Sequence, residues 1–168
     1  MNKLLFFIGI WGLLIACQEN LNTNDFTGNE VTYDLQSASQ YNISGIVTFK
    51  EKRDGTTQVV VKLTGTSGDA KLPVHLHLGD ILTPDADVAA LLSPVNAKTG
   101  TSETILKQLA NESAVSFTDL IKLNACMKIH LSDVGPERDI ILAGGNIGES
   151  ASKGIASGKV GISVCKSE

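Results

Sequence analysis

The chain has 168 residues, 42% of them hydrophobic and 5% aromatic, with a formal net charge of −4. That length supports one domain with a substantial core. The mild acidity and the lack of any basic stretch argue against a nucleic-acid partner, and so few aromatic rings leave no stacking platform for bases or sugars.

The chain opens on a leader. Asn2 and Lys3 precede an apolar run over residues 4–15 that includes Gly9, Trp11 and Gly12. A helix needs ~20 apolar residues to span a bilayer core, so this run suits the centre of a cleaved signal peptide. It ends in Leu14-Ile15-Ala16-Cys17, which resembles the bacterial lipobox. The resemblance implies cleavage after Ala16 and acylation of Cys17, so residues 1–16 are the expected signal peptide and the membrane is the expected partner through a lipid anchor. Several acyl chains hold stably because each buried methylene adds ~0.8 kcal/mol. Gln18 stands where an aspartate would, by resemblance to enteric lipoproteins, favour the inner membrane; the outer membrane is therefore the expected address. Residues 17–32, with the lipidated cysteine at their head, are polar and Asn-rich and read as a tether.

Residues 33–168 carry short apolar runs punctuated by Gly, Asp and Pro, the mark of an all-β domain. Residues 41–50 and 57–63 flank Asp54-Gly55, where glycine permits positive φ, and read as a hairpin. A third strand over residues 72–78 is entered through Pro73, which a strand start tolerates. Residues 85–92 read as a helical turn or loop, and 104–109 as strand or helix. Ser116-Phe117-Thr118-Asp119-Leu120-Ile121 suggests a short helix, followed by a strand over 126–131. A turn-rich loop over 133–139, a short strand over 140–142, a Gly/Ser-rich loop over 144–158 and a final strand over 159–166 complete the chain. Strands so spaced suit a Greek-key β-sandwich of seven or eight strands.

The three histidines share a pattern. In Val74-His75-Leu76-His77-Leu78 the aliphatic residues occupy one face of a strand and both imidazoles the other. In Met127-Lys128-Ile129-His130-Leu131 the same alternation sends His130 away from the apolar face. If the two strands are neighbours in the fold the histidines converge, and two histidines at i, i+2 with a third from another strand present three nitrogens to one transition metal. His75, His77 and His130 are therefore the candidate metal ligands, with copper preferred by the Irving–Williams order.

The cysteines give a second pairing. With Cys17 assigned to lipid, Cys126 and Cys165 are an even pair in an oxidising compartment, and a disulfide is expected between them. It would close a ring of about 40 residues, worth ~4 kcal/mol in the chain-entropy model. Asp80, Asp85 and Asp87 lack the spacing of a calcium loop and read as a solvated loop. No nucleophile elbow, P-loop or H-E-x-x-H motif is present.

The motifs have relatives. Residues 43–49, Asp54-Gly55-Thr56, Leu63-Thr64-Gly65 and His75-Leu76-His77-Leu78-Gly79-Asp80 resemble the hairpin and H-x-H-x-x-G-D segment of Cu/Zn superoxide dismutase, one residue shorter before Gly-Asp. Ile129-His130-Leu131 is similar to that family's late copper-ligand strand, and Gly145-Asn146-Ile147-Gly148 to its G-N-A-G turn. The resemblance implies a copper site but no zinc site, because a fourth histidine is lacking. Glu149 and Ser150 replace the arginine that attracts superoxide there, which disfavours dismutation; Lys128, on the same strand face as His130, is either a replacement cation or a charge that weakens metal binding by repulsion. The middle of the chain also resembles the CHRD domain: the H-x-H strand, Phe117-Thr118-Asp119-Leu120-Ile121, then Met127-Lys128-Ile129-His130, with Asp139-Ile140-Ile141-Leu142-Ala143-Gly144 in place of E-I-R-G-Q. These likenesses imply a CHRD-like or superoxide-dismutase-like β-sandwich. The expected role is a surface lipoprotein that binds a protein or envelope component and holds one copper ion. A copper-only, dismutase-like redox protein is the alternative.

Overall fold

A computed structural model describes residues 25–84 and 86–152. Among them are eight strands: β1 (Phe26–Ser37), β2 (Ser44–Lys52), β3 (Thr57–Thr64), β4 (Lys71–Leu78), β5 (Val88–Asn96), β6 (Thr101–Leu106), β7 (Asn124–His130) and β8 (Ile141–Gly148). Two short helices, α1 (Phe117–Lys122) and α2 (Glu149–Ser152), and a 3-10 turn over Pro136–Asp139 complete them. The all-β expectation holds. In place of two separate sheets, one antiparallel ladder closes into a barrel in the order β1-β2-β3-β6-β5-β4-β7-β8.

The closure is uneven. β2 and β3 pair over eight positions, from Ser44↔Thr64 to Glu51↔Thr57. β5 and β6 share only Asn96↔Thr101, and β1 and β8 only Gln36↔Gly144 and Ser37↔Ala143. These two thin junctions divide the barrel into four-stranded halves, β1-β2-β3-β6 and β5-β4-β7-β8. The interior is filled from both by alternate residues, among them Val47, Phe49, Val59, Val61, Leu72, Val74, Leu76, Met127, Ile129 and Ile147.

The hairpin lies where the alternation puts it, with Gly55 at φ 82° in the turn. The short helix at Phe117 forms as well. Ser116 and Asp119 make a reciprocal capping box at its start, satisfying backbone donors that a helix N-terminus otherwise leaves open.

Three segments depart from expectation. Residues 26–32, assigned to the tether, begin β1; most of their side chains are exposed, so the strand shows no buried stripe in sequence. Residues 88–92, expected as helical turn or loop, belong to β5. Its alternation is broken because the register with β4 slips twice, near Pro94 and at Ala89, and proline in a strand is confined to edges or bulges. Of the loop expected over 144–158, Gly144 to Gly148 continue β8 along β7 and Glu149–Ser152 form α2. Here glycine serves close approach: a Cβ on Gly145 would lie 2.1 Å from the Asp34 carbonyl oxygen. The leader, Cys17, Asp85, Cys165 and the expected strand over 159–166 lie outside the described residues.

Candidate metal centre

The β4–β7 ladder sets the faces. Val74↔Ile129 and Leu76↔Met127 point into the barrel, so His75↔Lys128 and His77↔Cys126 point out of it. His130 follows on the Lys128 side. All three histidines therefore leave the barrel on one face, as the alternation predicts. His77 and His130 each sit at a register shift, against β5 and β8 respectively; bulges of this kind re-aim side chains and recur beside functional sites.

The rings converge. Centroids are 4.6 Å apart for His75 and His130, 5.8 Å for His75 and His77, and 6.2 Å for His77 and His130. One ligand nitrogen from each lies within 4.8 Å of the others. Bonds of ~2.0–2.1 Å to one ion bring three nitrogens to roughly 3.3–3.6 Å apart, so an ion would draw the set together by about 1 Å.

The outer face is roofed. His77 is 1% exposed and His130 4%, while His75 is half-buried and forms the mouth. One cover is the stretch following β4. Its Ile81 and Ala86 are buried yet stand outside the main core cluster. Asn146 of β8 holds this cover: its Oδ1 accepts from the Ile81 backbone at 2.7 Å, and its Nδ2 donates to Asp80 at 2.7 Å. The second cover is the loop after β7.

Each cover also fixes a ring. His77 Nδ1 bonds the Ala86 carbonyl at 2.8 Å, and His130 Nδ1 bonds the Arg138 carbonyl at 2.9 Å. A carbonyl only accepts, so both Nδ1 atoms carry hydrogen and the lone pairs sit on Nε2. Metal-binding histidines are oriented in this way by their outer partners. His130 Nε2 is buried with no hydrogen-bond partner, a costly arrangement that a bound cation would relieve.

Electrostatics keep the rings neutral, the form that ligates metal. Burial first, then the neighbouring His130 and His77 rings and Arg138, push His75 down to about 4. Burial lowers His77 against the raising effect of its bond to Ala86, with Lys128 and His130 lowering it further. Burial also lowers His130; Lys128 and Arg138 add to this, while the Arg138 carbonyl and Asp139 oppose it. Below the ordinary imidazole value of 6.5, the unfolded chain takes up protons that the folded one refuses. Stability of the metal-free protein is thus full above that value and falls as pH drops towards 4. The urea midpoint should be lower near pH 5 than near pH 7, and less so once the three histidines are replaced by glutamine.

No family model, curated protein or solved structure matches the chain.

Of the residues singled out in the sequence, the three histidines come together. Cys126 is fully buried on their face, opposite His77. Lys128 is buried rather than solvent-facing. The roof has no counterpart in the sequence pattern, since Ala86 and Arg138 contribute only backbone carbonyls, which carry no residue signature. Asn146 was legible only as part of a turn, whereas it clamps Asp80 and Ile81 from within a strand. Replacing Asn146 by leucine should cost roughly 1–3 kcal/mol by leaving buried groups unsatisfied and weaken metal binding ~10–100-fold through the loosened cover. Calorimetric melting and a metal-competition titration measure the two effects.

Proposed function

We propose that this chain is a membrane-anchored, CHRD-like surface lipoprotein whose barrel holds one copper ion through His75, His77 and His130. The observation that carries the reading is the convergence of three neutral imidazoles. Two are locked with Nε2 as the donor atom, and one of those Nε2 atoms is buried without a partner. An all-imidazole set suits copper, zinc, iron and nickel, and among divalent ions copper binds such a set most tightly. The spatial order β6-β5-β4-β7 fits a Greek key, in which the fourth strand returns beside the first. That supports the superoxide-dismutase-like or CHRD-like reading of the fold.

The half-open side at His75 favours a second reading, a dismutase-like redox centre that an external small molecule reaches. The chain's own residues would then orient the ion and exclude water from two sides, and the ion would supply the electron transfer. Three histidines rather than four, and Glu149 in place of an arginine, rank this second.

Loading with copper, removing excess by gel filtration and counting metal by elemental analysis tests the proposal. The expected result is about one copper per chain, with nitrogen coupling from imidazoles in the Cu(II) spin-resonance spectrum. A chain that leaves the column without copper overturns it.

A further inference from the structure

We infer that the end of the barrel where β1 begins rests on the lipid surface, through Leu78, Leu82, Val88 and Ile105. The inference deepens the anchor reading above and rests on it.

The strand register defines this end. Phe26 pairs with Lys52, Glu51 with Thr57, and Thr57 with Leu106. Ala110 bonds Ala89, and Val88 pairs with His77, the residue before Leu78. The start of β1, the β2–β3 turn, the start of β5 and the close of β4 therefore lie together. The same end carries Leu78 at 41% exposure, Val88 at 40%, Ile105 at 43% beside Leu106 and, in the stretch that leaves it after β4, Leu82 at 54%. Isolated exposed leucines are ordinary on a protein surface, but a group of them at one pole is not.

The chain before the barrel says what covers this group. Nine residue steps separate Cys17, the expected lipidation point, from Phe26. At full stretch they reach only ~30 Å. An acylated Cys17 thus keeps this pole close to the membrane, and a surface held so near is met at high effective concentration, where weak contacts suffice. Charge does not suggest another mode. Lys52, Arg53, Asp54, Asp25 and Asp87 are of mixed sign here, with Lys52 and Asp54 paired at 3.6 Å, so the contact is apolar and insensitive to salt. Val134 and Leu91 are more exposed, at 70% each, yet Val134 follows the far end of β7 and Leu91 lies opposite His75, back from the close of β4. Position relative to the anchor, rather than hydrophobicity alone, singles out the residues at this end.

Tryptophan quenching tests the contact, because the sole tryptophan, Trp11, lies in the leader. Leu82→Trp, Val88→Trp and Val134→Trp are expressed as full chains with the leader and reconstituted into phosphatidylethanolamine–phosphatidylglycerol vesicles containing brominated acyl chains. Mass spectrometry of the mature protein establishes acylation first. Expected is a loss of at least about half the emission at positions 82 and 88, unchanged by salt, with none at 134. An acylated chain with unquenched emission at 82 and 88, or equal quenching at 134, overturns the lipid contact alone and leaves this pole to a protein partner. A mature mass without acyl chains removes the anchor reading and this inference together.

Discussion

His75→Ala is expected to lower copper affinity at least ~100-fold while leaving the melting temperature of the metal-free protein nearly unchanged. The two halves of that expectation come from different parts of the geometry. Loss of an outer-shell partner alone costs ~10–100-fold in affinity, so loss of one of three ligands costs no less. The fold is indifferent because His75 is half-buried and points away from the barrel interior. His130→Leu should match it in affinity loss but behave differently in stability. It removes a buried Nε2 that has no partner, and an apolar group of similar size avoids that desolvation penalty. The metal-free His130→Leu protein should therefore melt no lower than wild type, although its Nδ1 bond to Arg138 is lost. Competition against a chelator of known affinity reads the first quantity and calorimetry the second. Wild-type affinity in His75→Ala would falsify the assignment of the centre.

Gly145→Ala is the second large effect. The new methyl would lie 2.1 Å from the carbonyl oxygen of Asp34, which is main chain and cannot rotate away. Relief requires β1 and β8 to separate, and these strands hold each other through only two register pairs. Overpacking typically costs ~1–3 kcal/mol and more where backbone must move, so ~3 kcal/mol is expected here. For a domain of this size that is roughly 6–12 °C in melting temperature. The variant should nevertheless bind copper at low temperature, because the histidines stand on β4 and β7. A variant that melts with wild type would mean that the β1–β8 approach is looser than the structure places it.

The parts of the fold legible in sequence are those where one side chain in two meets the core. β2 and β3 advertise themselves because Val47, Phe49, Val59 and Val61 are buried in strict alternation. The same rule placed His75, His77 and His130 on one face without any knowledge of topology. It failed for β1, whose first residues Thr27, Gly28, Asn29 and Glu30 are all exposed. It failed again for β8, whose Gly144 and Gly145 have no side chain to alternate. Burial of the centre was invisible for a third reason. Facing away from the barrel suggested solvent, but covers pinned by Asn146 and by two main-chain carbonyls lie over the rings. Such contacts depend on where loops travel, which local pattern does not encode.

The two thin junctions bear on how long a bound ion stays. All three ligands belong to adjacent strands within one half of the barrel. If the halves part along the β1–β8 and β5–β6 seams, as weakly paired edges do first, the ligand strands travel together. Residence of the ion is then decoupled from breathing of the other half, and its escape awaits separation of β4 from β7 or lifting of a cover.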